Sequence, residues 1–494
     1  MIKFIVKFAP EITIKSKPVR KRFATRLAAN IEKIFRRHQL SAMVVKRWDM
    51  LEVVLAPTEH ESIEELQNRG QAIALLLNDI PGIAHFMEVA EHPLAQDEEG
   101  QLDSELTLEQ IARQVAEVFD EKLDGGTFVV RCKRSGSHPF TSHDIERYVG
   151  AYLLKNGNDR KVKLKGADVT VSLEVKRNRL FIVKHREQGL GGYPLGAVSP
   201  VLSLISGGYD SSVASFDTIR RGMETHFLFF NLGGHAHEVG VKQVSHYLWE
   251  RYGSSHRTAF VSVPFDAVVG EILEKVDNAY MGVVLKRMMM RAASSIAQRM
   301  NIQALVTGES VAQVSSQTIP NLSVIDSVSE VFTLRPLVTS DKTEIMAKAA
   351  RIGVAEFAEH MPEYCAVISD KPTTAAKLER VVEVEAKFDF DILNNAIEAR
   401  TVCGIDAVYN SEMLYDDIEQ LSTPQPGQVI IDLRSEDERE QKPLVVHNNE
   451  SIHIPFYKIN QIFTELDPSC QYLLYCDRGV MSRLHAAHLK AEGF

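Results

Sequence analysis

The sequence predicts a multidomain α/β protein. Its 494 residues exceed what one hydrophobic core usually serves, so several domains are expected. Two stretches rich in glycine, proline or small polar residues, Glu187–Pro200 and 422–428, divide the chain. From Val201 onward, short apolar runs alternate with helical patterns, which is typical of a parallel sheet. Hydrophobic content of 45% with 25% charged residues excludes global disorder.

The first 60 residues predict a small α+β unit. Ile2–Phe8 reads as a strand, Pro18–Arg37 as a helix, and Ala42–Trp48 and Leu51–Leu55 as two further strands. Apolar residues recur at helical spacing along the helix, and its other faces carry lysine and arginine. The exposed side of this unit is therefore expected to be cationic.

Charge is segregated along the chain. The net charge of -10 argues, taken alone, against a nucleic-acid binder. Residues 1–50 hold 13 Lys/Arg and 3 Asp/Glu (+10), residues 51–130 hold 3 and 18 (-15), and residues 131–187 hold 14 and 6 (+8). The remainder carries -10 - (10 - 15 + 8) = -13. This asymmetry indicates a basic face gathered from two separate segments.

Further elements follow in order. After an acidic helical stretch, a second α+β unit has predicted strands at Thr127–Arg131, Asp168–Val175 and Leu180–Lys184. The region from Val201 predicts a doubly wound parallel sheet, whose ligand is expected at the carboxyl ends of its strands. Its predicted elements are strands at Val201–Ile205, Thr225–Phe230, Arg257–Val263 and Ala304–Thr307, and helices at Ser211–Arg221, Glu238–Tyr252 and Met281–Met300. An acidic helical region follows around Lys377–Arg400. A last short α/β unit spans Val429–Phe494.

A glycine-rich loop joins the first strand of that sheet to a helix. In Ser206-Gly207-Gly208-Tyr209-Asp210-Ser211, the glycines allow backbone amides and a helix N-terminus to cradle a pyrophosphate. No Lys follows as in a Walker A loop. The alternative is a strand-to-helix turn with Ser and Asp as caps.

Polar residues also follow a later strand. Thr307-Gly308-Glu309 and the run from Gln313 to Thr318 are expected to contact the ligand. Lys286 is either a phosphate ligand or a solvated lysine. His235 and His237 lack the spacing of a metal site, so no protein-bound metal is predicted.

Five scattered cysteines exclude a disulfide scaffold. Cys476 follows an apolar strand and precedes a glycine-containing loop with Arg478 and Arg483, where a thiolate or persulfide anion is stabilised. A buried strand-end cysteine is the alternative. A CX5R phosphatase needs Arg at position 482, which is Ser here, so phosphatase chemistry is disfavoured.

The localisation predicted is cytoplasmic, without membrane association. The start, Met-Ile-Lys-Phe-Ile-Val-Lys-Phe, alternates with charges like a strand, unlike the apolar core of a signal peptide. No stretch approaches the roughly 18 apolar residues that span a bilayer.

Three motifs carry a family resemblance. The loop SGGYDS resembles that of the PP-loop ATP pyrophosphatases, and the Cys476 loop resembles the rhodanese sulfurtransferases. Cys132-Lys133-Arg134 with the residues through Gly150 resembles the THUMP module of RNA-modifying enzymes. In this order, they resemble the tRNA 4-thiouridine synthetase (tRNA sulfurtransferase) family over essentially the whole chain. The domains this implies are a ferredoxin-like domain at 1–60, THUMP at 61–186, a linker at 187–200, the PP-loop domain at 201–398, a linker at 399–428 and a rhodanese-like domain at 429–494.

The resemblance implies a reaction and its residues. MgATP adenylates O4 of uridine 8, a cysteine desulfurase loads Cys476 as a persulfide, and the terminal sulfur replaces the activated oxygen. Cys365, in Met-Pro-Glu-Tyr-Cys, then forms a disulfide with Cys476, and Asp210 helps to hold Mg²⁺. The nucleotide contacts implied are Leu204, Ile205, Ser206, Gly207, Gly208, Asp210, Ser211, Lys286, Gly308, Gln317 and Lys342. The tRNA contacts expected are Arg20, Arg22, Arg26, Lys133, Arg134, His138 and Arg147.

Two rival functions stay open at this point. One is a sulfur relay that serves only the sulfur-carrier protein of thiamine thiazole synthesis, a role the family also fills beside tRNA thiolation. The other is a non-catalytic tRNA-binding protein, which would need neither Asp210 nor Cys476. The oligomeric state is open, with a homodimer as one candidate.

Overall fold

A computed structural model separates the chain into two compact units. The N-terminal unit comprises Met1–Val198 with Arg220–Met223, and the C-terminal unit comprises Ser199–Ile219 with Glu224–Phe494. The structure describes residues 1–95, 103–232, 234–359, 361, 371–408, 418–419, 421, 423–434, 439, 442–444, 446, 449–454, 459–476, 482, 485–486, 489–490 and 493–494.

A mixed β-sheet is the central element of the N-terminal unit. Within the described residues of this unit, eight strands lie in the order β2-β3-β1-β4-β8-β7-β5-β6. In chain order they are β1 (Ile2–Phe8), β2 (Met43–Lys46), β3 (Met50–Leu55), β4 (Ile83–Pro93), β5 (Thr127–Ser135), β6 (Lys161–Val162), β7 (Val169–Lys176) and β8 (Arg179–Gln188). The strands predicted in both α+β regions are thereby confirmed within a few residues, and they share a single sheet.

The helices of this unit begin where the sequence supplies caps. Ser62 and Glu65 form a capping box at the start of α3, Thr141 and Asp144 do the same for α5, and Asp103 caps α4. The predicted basic helix is confirmed as α2, which starts one residue earlier, with a proline in its first turn. The helices are α1 (Pro10–Thr13), α2 (Lys17–Arg37), α3 (Ile63–Asn78), α4 (Ser104–Leu123) and α5 (Ser142–Lys155).

Strand β4 joins the two halves of the sheet, and the sequence did not reveal it. It pairs antiparallel with β1 on one side and with β8 on the other. A register shift between Glu88 and Val89 interrupts the alternation of apolar and polar residues by which a strand is recognised. Two hydrophobic clusters pack against the sheet, one around α2 and α3 and one around α4 and α5.

The glycine-rich segment between β8 and the next strand contains neither helix nor strand. Gly191, Gly192 and Gly196 all have positive φ. A Cβ atom at Gly192 would overlap the carbonyl oxygen of Arg220, so only glycine fits there.

The C-terminal unit contains the predicted doubly wound sheet. Its strand order is β13-β12-β9-β10-β11-β14, so the chain starts near the centre and winds outward in both directions. The pairs β10·β11, β9·β12 and β12·β13 are parallel, and β14 is an antiparallel edge strand. The strands are β9 (Val198–Leu204), β10 (Met223–Asn231), β11 (Ala259–Pro264), β12 (Ala304–Val306), β13 (Phe332–Leu334) and β14 (Thr401–Gly404).

Helices pack against this sheet. The prediction of a linker at 399–428 was wrong for its first residues, because β14 is the edge strand of the sheet. Helix α9 lies in the centre of the hydrophobic core, with Met288 and Met290 buried as core residues. A π-helical segment, Trp249–Gly253, extends α7. The helices are α6 (Tyr209–Arg220), α7 (Gly234–Leu248), α8 (Asp266–Lys275), α9 (Met281–Arg299), α10 (Ile319–Asp326), α11 (Lys342–Ile352), α12 (Ala355–Glu359), α13 (Leu378–Glu385) and α14 (Phe390–Glu398).

The last residues form a small parallel sheet. Strand β15 (Val429–Asp432) lies between β16 (Ser451–His453) and β17 (Tyr472–Tyr475), and α15 (Ile459–Ile462) follows β16. Buried Arg434 forms an ion pair with buried Asp432 at 2.8 Å, which fixes the chain just after β15.

Candidate functional site

The glycine-rich loop lies at the topological switch point of the doubly wound sheet. Strand β9 stands between β10 and β12, and the loop leads from its carboxyl end into α6. Gly207 has φ of +84°, and a Cβ atom there would collide with the side chain of Met361. Open α/β sheets bind ligands at such points, so the fold places the loop where a phosphate group is expected.

Hydroxyl groups hold the loop in shape. The backbone N–H of Ser206 donates to Oγ of Ser211 at 3.2 Å, and the two hydroxyl oxygens lie 3.1 Å apart. The Ser211 hydroxyl also donates to the carbonyl oxygen of Gly208 at 3.2 Å. Ser211 therefore acts as a brace across the loop.

The segment after β12 presses against the first turn of α6. A Cβ atom built at Gly308 would lie 2.5 Å from the carbonyl carbon of Asp210 and 2.7 Å from the nitrogen of Ser211. Only a glycine permits this approach. The structure thus brings together Gly308 and Asp210, which lie 98 positions apart in the sequence.

Asp210 is held by two side chains from different elements. The Lys342 ammonium lies 3.2 Å from one carboxylate oxygen, and the Gln313 carboxamide donates to the other at 2.9 Å. The same ammonium lies 5.4 Å from the centre of the Tyr209 ring. Asp210 and Lys342, both predicted from the sequence, therefore meet at the start of α6.

A second cluster contains Lys286. Its ammonium lies 2.9 Å from Oε1 of Glu309, whose other oxygen accepts from Arg335 Nε at 2.8 Å and from the Thr307 hydroxyl at 3.1 Å. Burial alone would raise the pKa of Glu309, but the charges of Lys286 and Arg335 outweigh it and lower that pKa to about 2. Arg335 in turn makes a bidentate pair with Asp326, at 2.6 and 2.7 Å.

The remaining predicted nucleotide contacts lie on or near β9 and after β12. Ile205 is buried, and its N–H donates to the carbonyl of Leu228 at 2.9 Å. Leu204 packs against the core. Gln317 is buried, and its carboxamide oxygen has no hydrogen-bond partner within the described part of the chain. A buried acceptor without a partner is costly, so this oxygen suits a ligand that supplies a donor, such as an adenine amino group or a ribose hydroxyl.

Across the described ranges, no group of three or more His, Cys, Asp or Glu side chains could hold a metal ion. The carboxylate of Asp210 is nonetheless an oxygen ligand of the kind that Mg²⁺ uses together with substrate phosphates. A magnesium ion that arrives with a nucleotide therefore fits the residues present.

Cys476 follows β17, and its sulfur contacts the backbone and the side chain of Ser482. The backbone N–H of Ser482 donates to Sγ at 3.4 Å, and the Ser482 hydroxyl lies 3.5 Å away. Such donors stabilise a sulfur anion. Arg478, Arg483 and Cys365 lie outside the described residues.

The other described cysteines differ from Cys476. Cys132 is buried, and burial, with the nearby charge of Glu146, raises the pKa of its thiol to about 12. Cys470 is exposed, and Cys403 is partly buried in the edge strand β14. The Cys403 thiol donates to the carbonyl oxygen of Phe260 at 3.8 Å, whereas the sulfur of Cys476 accepts from a backbone N–H.

The predicted RNA contacts all lie in the N-terminal unit. Arg22, Lys133 and Arg147 are exposed, on α2, β5 and α5. Arg134 donates to the carbonyl of Gly136 at 3.1 Å and lies 2.9 Å from Nδ1 of His138. Arg26 donates to the carbonyl of Gly196, and the guanidinium of Arg20 lies over the ring of Trp48. Arg134 and His138 are thus brought together, whereas Arg26 is engaged within the fold.

Two site residues, Arg335 and Ser482, were assigned no role from the sequence. Glu309 and Gln313 were expected to contact the ligand, but the ion pairs of Glu309 with Lys286 and Arg335 join segments that are far apart in the sequence. A polar residue at the carboxyl end of a parallel strand was the available signal for Glu309.

Within the described residues, the structure has no helix both long enough and apolar enough to cross a membrane.

Comparison with known proteins identifies the matching families. Residues 196–390 match the family model "Thiamine biosynthesis protein (ThiI)", and residues 105–183 match "THUMP domain". The chain is 49% identical over 492 residues to a tRNA sulfurtransferase of Pseudomonas putida and 51% identical to one of Azotobacter vinelandii, covering all of this chain and 98% of each relative. Among solved structures, it resembles a 4-thiouridine synthetase–RNA complex with bound ATP, at 25% identity and a TM-score of 0.67, covering 82% of this chain and 99% of that chain. It also resembles PH1313 from Pyrococcus horikoshii, at 19% identity and a TM-score of 0.53, covering 72% of this chain and all of that one.

Proposed function

Because the chain belongs to the tRNA sulfurtransferase family, we propose that it converts uridine 8 of tRNA to 4-thiouridine, with ATP activating the oxygen and Cys476 delivering the sulfur. The observation that carries the proposal is the meeting of Asp210, Lys342 and Gly308 around the glycine-rich loop at the switch point. Nucleotides are bound at such loops by backbone amides and a helix N-terminus.

The activation step joins O4 of the uridine to the α-phosphorus of ATP and releases pyrophosphate. The loop amides, Lys286 and Lys342 would hold the phosphates, since ammonium groups and N–H donors stabilise the charge that develops on the leaving group. Asp210 would hold Mg²⁺, which supplies further charge neutralisation when it is bound. The buried acceptor of Gln317 fits a hydroxyl or amino donor of the nucleotide.

The transfer step replaces that activated oxygen with sulfur. The terminal sulfur of a Cys476 persulfide attacks C4, and AMP leaves with the oxygen. The thiolate of Cys365 then attacks Sγ of Cys476, so that the sulfur–sulfur bond breaks, the thiouridine is released and a Cys365–Cys476 disulfide forms. A dithiol reductant restores both cysteines, and a cysteine desulfurase reloads Cys476. The N–H and hydroxyl of Ser482 support the sulfur anion.

The N-terminal unit is assigned to tRNA binding. Its segments 1–50 and 131–187 carry net charges of +10 and +8, which suits a polyanion. The similarity to a solved 4-thiouridine synthetase–RNA complex with bound ATP supports both substrates.

The test is reconstitution from defined components. The full-length chain is incubated with unmodified tRNA, MgATP, cysteine, a cysteine desulfurase and a dithiol, and 4-thiouridine, AMP and pyrophosphate are measured. We expect the three products in equal amounts, and their loss in Asp210→Ala. Cys476→Ala should abolish thiouridine and the release of AMP, which stays on O4 until sulfur displaces it, whereas pyrophosphate should still form in an amount up to that of the tRNA, because the nucleotide site is intact. Thiolation that persists in both variants would refute the mechanism.

A second role is favoured by the match to a family described as thiamine biosynthesis proteins. We propose that the Cys476 persulfide also supplies sulfur to the sulfur-carrier protein of thiazole synthesis, without use of the nucleotide site. A Cys476→Ala strain should then require added thiazole, whereas an Asp210→Ala strain should not. Growth of the Cys476→Ala strain without thiazole would contradict this role.

A further inference from the structure

An exposed tryptophan stands beside the basic helix of the N-terminal unit. Trp48 lies between β2 and β3, with 63% of its surface exposed. The only other tryptophan, Trp249, is 3% exposed. A single exposed ring is ordinary on a protein surface, but the surroundings of this one are specific.

The chain around Trp48 is fixed by its neighbours. The N–H of Arg47 donates to the carbonyl of Met50 at 3.0 Å, and its guanidinium holds the Glu52 carboxylate at 2.9 and 3.2 Å. Asp49 pairs with Lys176 at 3.1 Å. Both residues that flank Trp48 are therefore tied to the sheet, and the indole is presented to solvent from a constrained turn.

One side of the ring is covered by a guanidinium group. The central carbon of Arg20, on α2, lies 3.9 Å from the centre of the Trp48 ring. Lys21 and Arg22 follow on the same helix and are exposed. The Lys46 ammonium donates to the Thr25 hydroxyl at 2.7 Å and adds positive charge between β2 and α2. The ring thus offers an exposed aromatic surface within a field of positive charge.

We propose that Trp48, backed by Arg20, is a stacking platform for an unpaired base of tRNA. A nucleotide matches both features, since its base offers a flat π-surface and its phosphate a negative charge. Arg20 orients the indole, and the exposed charges of α2 neutralise the adjacent backbone. This inference rests on the proposed tRNA substrate and adds to it a recognition site for single-stranded RNA.

The two-tryptophan composition permits a direct binding assay. Emission of the full-length protein is followed during titration with a short single-stranded RNA, and separately with the same sequence in a duplex. Stacking should quench Trp48 with the single strand and much less with the duplex. Trp48→Phe, which leaves only buried Trp249, should remove the response while retaining most of the affinity, measured with a labelled RNA.

Affinity variants test the same platform. Trp48→Leu keeps an apolar side chain but removes the ring, and should weaken binding of single strands and tRNA roughly tenfold. Arg20→Gln should weaken it less. Ile14→Ala, which alters a 79% exposed apolar residue in the same unit, is the matched control and should have no effect. In the thiolation assay, Trp48→Leu should raise KM for tRNA with little change in kcat.

Three outcomes would overturn the inference. The first is equal quenching by single strand and duplex, and the second is an unchanged RNA affinity of Trp48→Leu. The third is that Trp48→Leu loses binding to the cysteine desulfurase with RNA affinity intact, which would make the surface a protein interface. The fluorescence titration uses no ATP, so it measures RNA binding even if the wild-type chain forms no thiouridine. Failure of the stacking proposal can therefore be distinguished from failure of the proposed reaction.

Discussion

The ammonium of Lys286 and the carboxylate of Glu309 lie 2.9 Å apart, and Glu309 is 9% exposed. Arg335 holds the other oxygen of that carboxylate and is itself held by Asp326. Lys286 is therefore oriented by a chain of charged side chains that begins outside the glycine-rich loop. An ammonium whose position is set in advance loses less entropy when a phosphate arrives.

Replacing Glu309 by Gln is expected to impair nucleotide binding. The neutral amide cannot compensate the charges of Lys286 and Arg335, and the position of Lys286 is no longer set. We expect KM for ATP to rise about tenfold, since losing a hydrogen bond to a charged group costs about 1.5–3 kcal/mol. Steady-state thiolation at varied ATP measures this.

The control for that experiment is Asp326→Asn. It disturbs only the outer side of Arg335, whose Nε still holds Glu309. Its effect on KM should be several times smaller. If the two variants raised KM for ATP equally, the role of Glu309 would be to stabilise the fold and not to position Lys286.

The lowered pKa of Glu309 should make the stability of the fold depend on pH. Its pKa is about 2 in the folded chain, below the ordinary value of about 4.3. A carboxyl group with a lowered pKa stabilises the fold fully above its unfolded pKa, and this contribution is lost as pH falls from about 4.3 to about 2. The loss is on the order of 3 kcal/mol.

Urea unfolding at several pH values tests this. The difference in unfolding free energy between wild type and Glu309→Gln should be constant from pH 7 to about 5, and should shrink below that, because the amide does not titrate. A difference that stayed constant down to pH 3 would contradict the ionised state assigned to Glu309.

A side chain at position 308 is expected to lower thiolation activity. An alanine there would place its Cβ 2.5 Å from the backbone of Asp210, so the first turn of α6 must shift. We expect Gly308→Ala to fold, with thiolation lowered at least tenfold, since displacement of a positioning group by about 1 Å can cost 100-fold. Gly270→Ala is the matched control, because a Cβ there meets nothing within 4 Å. If Gly308→Ala were as active in thiolation as Gly270→Ala, the close contact between Gly308 and Asp210 would not be needed for the reaction.

The glycine-rich loop and its sheet were predictable because their signals are local. Gly207, Gly208 and Asp210 lie within four consecutive residues, and buried strands alternate with helices around them. Strand β4 was not predictable, since its register shift hides the alternation and its two partners come from distant segments. The Glu309–Arg335 pair shows the same limit, because a contact across strands leaves no spacing in the sequence.

Sulfur loading should map to Cys476 and not to the other described cysteines. Cys132 has a pKa of about 12 and is buried, so its nucleophilic thiolate is scarce at neutral pH. With radiolabelled cysteine and a desulfurase, Cys476→Ser should lose the protein-bound label that a reductant releases. Cys470→Ser, which alters an exposed cysteine six residues away, should retain it. Label retained in Cys476→Ser would assign the persulfide to another residue.

Binding of tRNA should weaken steeply with salt. The overall charge of -10 suggests the opposite, but the N-terminal segments 1–50 and 131–187 are strongly basic. Release of counterions makes the logarithm of affinity fall with the logarithm of salt by roughly 0.7–0.9 per phosphate contacted. We expect exposed Arg22→Gln to lower that slope by about one. Lys275→Gln, which removes an exposed lysine of the C-terminal unit paired with Glu274, should leave the slope unchanged. A flat salt dependence of the wild-type chain would remove the basic segments from the binding surface.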